Sequence, residues 1–399
     1  MCLNIKKIKT IIVFLFLFFP FALPAQTKYN DFKKVDEAIR KYINSTDNNE
    51  IRGVARFIYE NFSTETEKLR AIFIWISEKF DYDVENMFIL KYYDDTQDVV
   101  NEMLANKKGV CMHFAHLFKE IGNTLDIKSY LISGFTKQDG VISSLPHVWC
   151  ASFADSMWYL IDPTWGSGYV QNNKYVKKLD DNFFNVEPEE LVQTHYPYDP
   201  LWQFLYYPVS EQEFYEGHTK INKNKPFFNY VDTLIAYENA TRWEQLIAIN
   251  NRIGKNGAKN MLTQNQLENN EKEIEMHKLN RVIDYYNSAV NYYNNGVNAL
   301  NRFIIYRNNQ FNPQKSEIQI RLMIEDVETA LLRAQNELQQ ASTTDKSTLN
   351  MINMLQMAVN EANTQVDVQK EFVNTYFDTK PILRKTLFNK YYWMGIPLN

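Results

Sequence analysis

Three residues of this chain have the chemistry to act together on a carbonyl group: Cys111, His147 and Asp162. A cysteine supplies a soft nucleophile, a histidine takes its proton, and a carboxylate orients and charges the imidazole. Cys111 follows Lys108-Gly109-Val110 and opens a run in which Phe114, Ala115, Phe118, Ile121 and Gly122 recur at helical spacing. A thiol at the start of a helix meets unpaired amide N–H groups and the positive end of the helix dipole, and both favour the thiolate. His147 lies in Pro146-His147-Val148-Trp149, and Asp162 in Ile161-Asp162-Pro163-Thr164-Trp165.

The elements that must position these residues are legible around them. Ser129–Gly134, His147–Phe153 and Met157–Ile161 are rich in β-branched and aromatic residues and read as strands. Ala154-Asp155-Ser156 separates the last two, which predicts an antiparallel hairpin. A loop of three or four residues then sets His147 opposite residue 162 or 163, with Cβ atoms about 5 Å apart and the histidine within reach of Asp162. Alternation sends Cys150 to the other face of the strand, away from His147, which favours a free Cys111 over a Cys111–Cys150 disulfide.

Upstream, residues 30–62 read as two helices, and Thr64 with Glu67 forms a capping box for a third helix carrying Leu69, Ile72, Phe73 and Ile76. On that helix Trp75 reads as core and Arg70 as part of a solvated face. Residues 86–107 are a polar connection with a short helical piece at Val99–Leu104, and residues 185–225 read as irregular wrapping around the first domain.

From residue 226 the composition turns to Asn, Gln, Glu and Leu. Three apolar series at 3–4 spacing, Ile283–Ile304, Ile320–Leu338 and Ile352–Val366, predict antiparallel helices packed along heptad-like seams. Asn312-Pro313 is read as the start of the second, and Ser342–Asp345 separates it from the third. The aromatic, basic end, Pro381–Asn399, is expected to dock back onto the body.

The site segments resemble the transglutaminase-like superfamily of cysteine enzymes, and in particular its bacterial, kyphoscoliosis-peptidase-like branch. The resemblance rests on Gly109-Val110-Cys111 with Ala115, on His147-Val148-Trp149, and on Asp162-Pro163-Thr164-Trp165 followed by Gly166 and Gly168. Ala71–Ile76 and Tyr82 resemble the helix that precedes such a core. Cys150 departs from the pattern, in which an asparagine commonly follows His-x-Trp. The likeness covers roughly residues 50–210.

The resemblance implies an α+β fold: a papain-like core with the cysteine-bearing helix packed on an antiparallel sheet, here followed by an all-α bundle region. It implies Cys111 as nucleophile, His147 as base and then acid, and Asp162 as orienting carboxylate, in acyl transfer from peptide or side-chain amides. Hydrolysis is favoured over cross-linking, since no feature demands an amine acceptor. Trp149 and Trp165 are candidates to wall the substrate site, and core packing accounts for either equally well. A non-catalytic binding module on the same fold, or an assembly protein working through its helices, are the rival readings.

The bulk numbers bound these readings. The 399 residues carry a net charge of −5, and they are 45% hydrophobic and 15% aromatic. Such a chain can bury a core, and it lacks the basic surface that nucleic-acid binding needs. Lys6, Lys7 and Lys9 before the apolar run Ile11–Leu23 and Ala22–Ala25 read as an export signal cleaved near Ala25. The expected division is therefore 1–25 signal, 26–225 cysteine-enzyme domain and 226–399 helical region, in a periplasmic or secreted protein. A protein or peptide substrate is expected, with a protein partner for the C-terminal helices as a further option. No cofactor is expected, and membrane contact only through an uncleaved signal. No metal is expected either: His113 and His116 share a helical face that Cys111 does not, so these three do not close a site.

Overall fold

The computed structural model describes residues 32–398, apart from 46–49, 90, 92, 94, 389–390 and 394–395. The export-signal reading of residues 1–25 lies outside the described residues. The described residues form two compact units, one up to 239 with 251–266, the other of 240–250 with 267 onwards.

The first unit opens with helices α1 (Lys33–Ser45), α2 (Ile51–Asn61) and α3 (Glu65–Lys79). Thr64 and Glu67 cap α3 reciprocally, as their spacing predicts. Arg70 on α3 corrects the reading of a solvated face: it is 4% exposed. Its guanidinium donates to both oxygens of Asp36 at 2.8 and 2.7 Å and pairs with Asp181 at 2.5 Å. One buried cation thus ties α1 and a later turn to α3. Trp75 is fully buried, as core packing requires.

There follow β1 (Asp81–Tyr82), α4 (Thr96–Asn106), β2 (Lys108–Gly109) and α5 (Cys111–Thr124). The short strands β1 and β2 pair in parallel, Tyr82 with Gly109, and so clamp the backbone just before Cys111. Next come β3 (Lys128–Gln138), β4 (Val141–Ala154), β5 (Met157–Ile161), α6 (Pro163–Ser167), β6 (Gly168–Gln171), β7 (Lys174–Lys177), β8 (Phe184–Val186), α7 (Pro188–Leu191) and β9 (His195–Pro197). Five of these strands form an antiparallel sheet in the order β8-β5-β4-β3-β9. Helices α3 and α5 cover one face, where Phe73, Ile76, Phe114, Phe118, Cys150 and Ile161 share a buried cluster. On the other face Ile132, Trp149, Ala151 and Leu160 pack with Leu201, Trp202 and Phe204. This is the α+β architecture expected, with the cysteine helix on an antiparallel sheet.

Two strand readings change. β3 and β4 extend well beyond 129–134 and 147–153 and join through Asp139-Gly140, both at positive φ, a two-residue hairpin turn. The segment read as irregular wrapping contains two edge strands, β8 at its very start and β9 in its midst.

The first unit then adds α8 (Glu211–Glu216) and α9 (Tyr230–Asn239). Helices α10 (Arg242–Asn256) and α11 (Met261–Asn308) each contribute to both units, and α12 (Glu317–Gln340) and α13 (Lys346–Asp378) complete the second. Arg321 bonds Asn374, and Lys370 bonds Glu328, so residue numbers run in opposite senses and α12 and α13 are antiparallel. Their predicted apolar series are the buried seam: Ile320, Ile324, Val327 and Leu331 face Ala362, Val366 and Val373. Helix α12 starts at Glu317 under a Ser316–Gln319 capping box, later than the Asn312-Pro313 start expected from sequence. Phe388 packs on Phe311, Phe372 and Tyr376, as a docking C-terminal segment requires. Among the described residues no helix is long and apolar enough to cross a membrane.

Candidate active site

Cys111 is the first residue of α5, with Val110 as its N-cap. At that position its amide N–H, like that of Met112, has no partner within the helix. Its side chain is half-buried, and its S–H points to the Pro146 carbonyl at 3.9 Å. That carbonyl immediately precedes His147. The helix is therefore aimed end-on at the strand that carries the histidine.

His147 sits on β4, 7% exposed, and its Nε2 donates to Asp162 Oδ2 at 2.7 Å. The contact expected from sequence is present, but by a different route. The β4–β5 turn is Asp155-Ser156, two residues at positive φ, so Cys150 pairs with Ile161 and the ladder ends there. Asp162 is not directly opposite His147. The chain instead leaves the sheet at Asp162, which becomes the N-cap of α6, and this turn swings the carboxylate toward the histidine.

Asp162 is fully buried and pinned on every side. Its Oδ1 accepts from the amides of Thr164 and Trp165 at 2.8 and 3.1 Å. Its Oδ2 accepts from His147 and also from Nε2 of His195 at 3.0 Å. His195, on β9, is 1% exposed and was not legible as a site residue. It lies in a Pro- and Tyr-rich stretch without periodicity, where nothing marks a lone histidine as special. Its Nδ1 meets Thr194 Oγ1 at 2.8 Å, an arrangement that suits a neutral ring with its proton on Nε2.

The electrostatics follow from this packing. Burial opposes charge on His147, yet the Asp162 carboxylate and the Cys111 side chain outweigh it and raise its pKa to about 10. Burial likewise opposes charge on Asp162, and its two histidine partners nonetheless hold it well below the ordinary carboxylate range. Burial lowers the pKa of His195, so one charged and one neutral imidazole share a single carboxylate. Among the described residues these three are the one group whose donor atoms cluster closely enough for a metal ion, within 4.8 Å. Both histidine nitrogens that face the carboxylate are spent on it.

The tryptophans divide. Trp149 is 1% exposed and packs against the rings of His147 and His195, at 6.0 and 5.2 Å between centroids. It is a floor beneath the site, and burial favours core packing. Trp165 is half-buried and lies 4.7 Å from the His195 ring, leaving surface to offer a substrate. Cys150 points away from His147 into the core, its Sγ donating to the Ala115 carbonyl at 3.5 Å. Cys111 and Cys150 are both free, and burial pushes the Cys150 thiol well up.

Residues 52–163 match the family model of the transglutaminase-like superfamily. That stretch holds Cys111, His147 and Asp162 and stops short of His195. Kyphoscoliosis peptidase of Mus musculus is 27% identical over 191 residues, covering 46% of this chain and 28% of that protein. Hillarin of Drosophila melanogaster is 26% identical over 219 residues, covering 48% and 26%. Cytokinesis protein 3 of Saccharomyces cerevisiae is 25% identical over 201 residues, covering 44% and 22%. The chain thus spans about a quarter of the length of these curated relatives. Among solved structures, a crystal structure of a TGase aligns at 22% identity and a TM-score of 0.22, over 38% of this chain and 36% of that one.

Proposed function

We propose, from the premise that residues 52–163 belong to the transglutaminase-like superfamily, that this chain is a cysteine enzyme transferring the acyl group of a peptide or side-chain amide to water. The observation that carries the proposal is the alignment of three groups. Cys111 opens α5 facing Pro146-His147, and His147 bonds the buried Asp162 at 2.7 Å. With Nε2 committed to the carboxylate, Nδ1 is the ring nitrogen left for the thiol.

The reaction then runs as follows. The Cys111 thiolate attacks the amide carbonyl carbon and a C–S bond forms. The oxygen takes the negative charge and is met by the partnerless amides at the start of α5. The His147 imidazolium gives its proton to the amide nitrogen, the C–N bond breaks, and ammonia or an amine leaves a thioester. Neutral His147 next takes a proton from water as the water oxygen attacks the thioester. Collapse releases a carboxylic acid and returns the thiolate. A raised His147 pKa suits the donor half of this cycle, since the ring holds its proton at neutral pH.

The test is alkylation of the reduced protein with iodoacetamide across pH, beside His147→Ala and Cys150→Ser variants. Fast labelling at Cys111 below pH 8 that is lost in His147→Ala and kept in Cys150→Ser is the expected result. A screen of peptide amides for ammonia or amine release should then follow Cys111, with Cys111→Ala lowering turnover by about 10³-fold or more. Labelling at the rate of free cysteine, indifferent to His147, would end the enzyme reading in favour of a binding module.

A further inference from the structure

A second histidine stands close to the nucleophile, and the mechanism above does not use it. His113 is the third residue of α5, and its side chain folds back over the helix start, where Nδ1 accepts from the Val110 amide at 3.2 Å. That bond fixes the tautomer: Nδ1 is the acceptor, so the neutral ring carries its proton on Nε2. Nε2 faces Tyr93 Oη at 2.9 Å. Tyr93 in turn bonds the Glu102 carboxylate, and Glu102 pairs with Lys91. The result is a directed chain, Val110 N–H to His113, His113 to Tyr93, Tyr93 to Glu102, running from the residue before Cys111 to an anion on α4.

Two observations outside this chain point the same way. A Cβ on Gly109 would lie 2.7 Å from His113 Cβ and 2.7 Å from Met103 Sδ. The glycine two residues before the cysteine is therefore needed to let His113 pack there. The chain also borders a cavity of about 370 Å³ lined by Asp83, Tyr93, Glu102, Gly109, Val110 and His113. Solvent protons therefore reach a ring that is otherwise 6% exposed.

We infer that His113 is a positioning residue: it clamps the Val110 peptide that sets Cys111 at the helix start, and it releases that clamp when it is protonated. This rests on the proposed role of Cys111. Protonation would place an N–H at Nδ1 against the Val110 N–H, donor facing donor, and the bond is lost. The charged and titratable groups facing the ring are Glu102 on α4, Asp83 after β1, Lys91 and Tyr93 on the connecting segment, and His116 on α5 itself. Burial is the largest influence among them and favours the neutral ring, so the clamp holds at neutral pH and fails on the acid side.

The experiment measures Cys111 alkylation by iodoacetamide from pH 5 to 9 in wild type, His113→Leu and His113→Asn. Circular dichroism on each checks that the fold is kept. An asparagine places an acceptor where Nδ1 stood but does not titrate. His113→Leu should react about 5- to 10-fold more slowly at pH 7.5, as expected for loss of one positioning hydrogen bond. His113→Asn should recover the neutral rate and lose the part of the acid-side fall that belongs to His113. In wild type, ¹⁵N shifts of the His113 ring should show the Nε2–H tautomer. A reactive wild type with His113→Leu equal to it at every pH overturns the positioning role alone. A wild-type Cys111 no more reactive than free cysteine overturns the catalytic reading and the positioning role together.

Discussion

At the scale of single residues, the carboxylate at 162 is the most constrained group in the site. Four donors converge on it, two of them backbone amides. His195→Ala would remove one donor and leave a void beside Trp149 and Trp165. A loss of about 2–4 kcal/mol is expected from the lost bond and the cavity together. The freed Oδ2 would also hold the His147 ring less firmly, so Cys111 alkylation should slow. His195→Gln, whose amide N–H can reach the same oxygen, should recover part of both. Thermal melting and alkylation rates check this pair. Cys111, His147 and Asp162 could be read from sequence because each announces itself locally: a glycine and a helix start, a strand, a turn after a strand. His195 could not, since its role exists only through a contact 33 residues away in sequence. Arg70 was misread for a similar reason. Helical periodicity shows which face is polar, but not that Asp36 on a neighbouring helix will bury that face.

At the scale of elements, the central hairpin shows how a right contact can come from a wrong register. Alternation and strand length predicted that His147 and Asp162 meet, and they do. The turn was read one or two residues too long, because Asp155-Ser156 lacks the glycine that usually marks a two-residue turn. Asp155 has its own reason to be there: its carboxylate accepts from the Glu65 and Thr66 amides at the start of α3. Ser156, at φ 68° and exposed, makes no such contact. Ser156→Gly should therefore stabilise the hairpin by about 0.5–1 kcal/mol, by removing the left-handed strain of a non-glycine residue. Chemical denaturation would register it as a higher midpoint at unchanged slope. The edge strands β8 and β9 escaped the sequence because three residues are too few to display a period. In α11 the buried Val282, Ala289 and Phe303 lie one position before the predicted Ile283, Val290 and Ile304, whereas α12 and α13 were legible for the opposite reason. Each repeats its apolar seam over several turns, and the buried residues of α12 are the predicted series without exception: Ile320, Ile324, Val327, Leu331, Ala334 and Leu338.

At the scale of the whole molecule, the buried site couples stability to pH. Asp162, held below its ordinary value of 3.8, contributes stability above that value and loses it in stronger acid. His147 contributes fully below the ordinary imidazole value of 6.5 and loses its contribution as pH climbs toward about 10. His113 and His195, both held low, contribute above 6.5 and lose this as pH falls. Stability should therefore peak near neutrality and fall on both sides. His147→Gln should flatten the alkaline fall and also shrink the acid one, because His147 helps to hold both Asp162 and His195 low. Melting temperatures from pH 4 to 10 would show it, and a wild-type curve that stays level from 7 to 10 would contradict the His147–Asp162 coupling.

The place of β9 at the sheet edge has a consequence for the order in which a growing chain becomes competent. A nascent polypeptide released as far as Thr164 already holds its thiol, its base and its carboxylate. The second imidazole is synthesised later and reaches Asp162 only when β9 zips onto β3, His195 beside Thr136. Until then one oxygen of a carboxylate destined for complete burial keeps a vacancy that water must fill. Maturation of the centre is thus tied to docking of a three-residue edge, well after the segments that name the superfamily have left the ribosome.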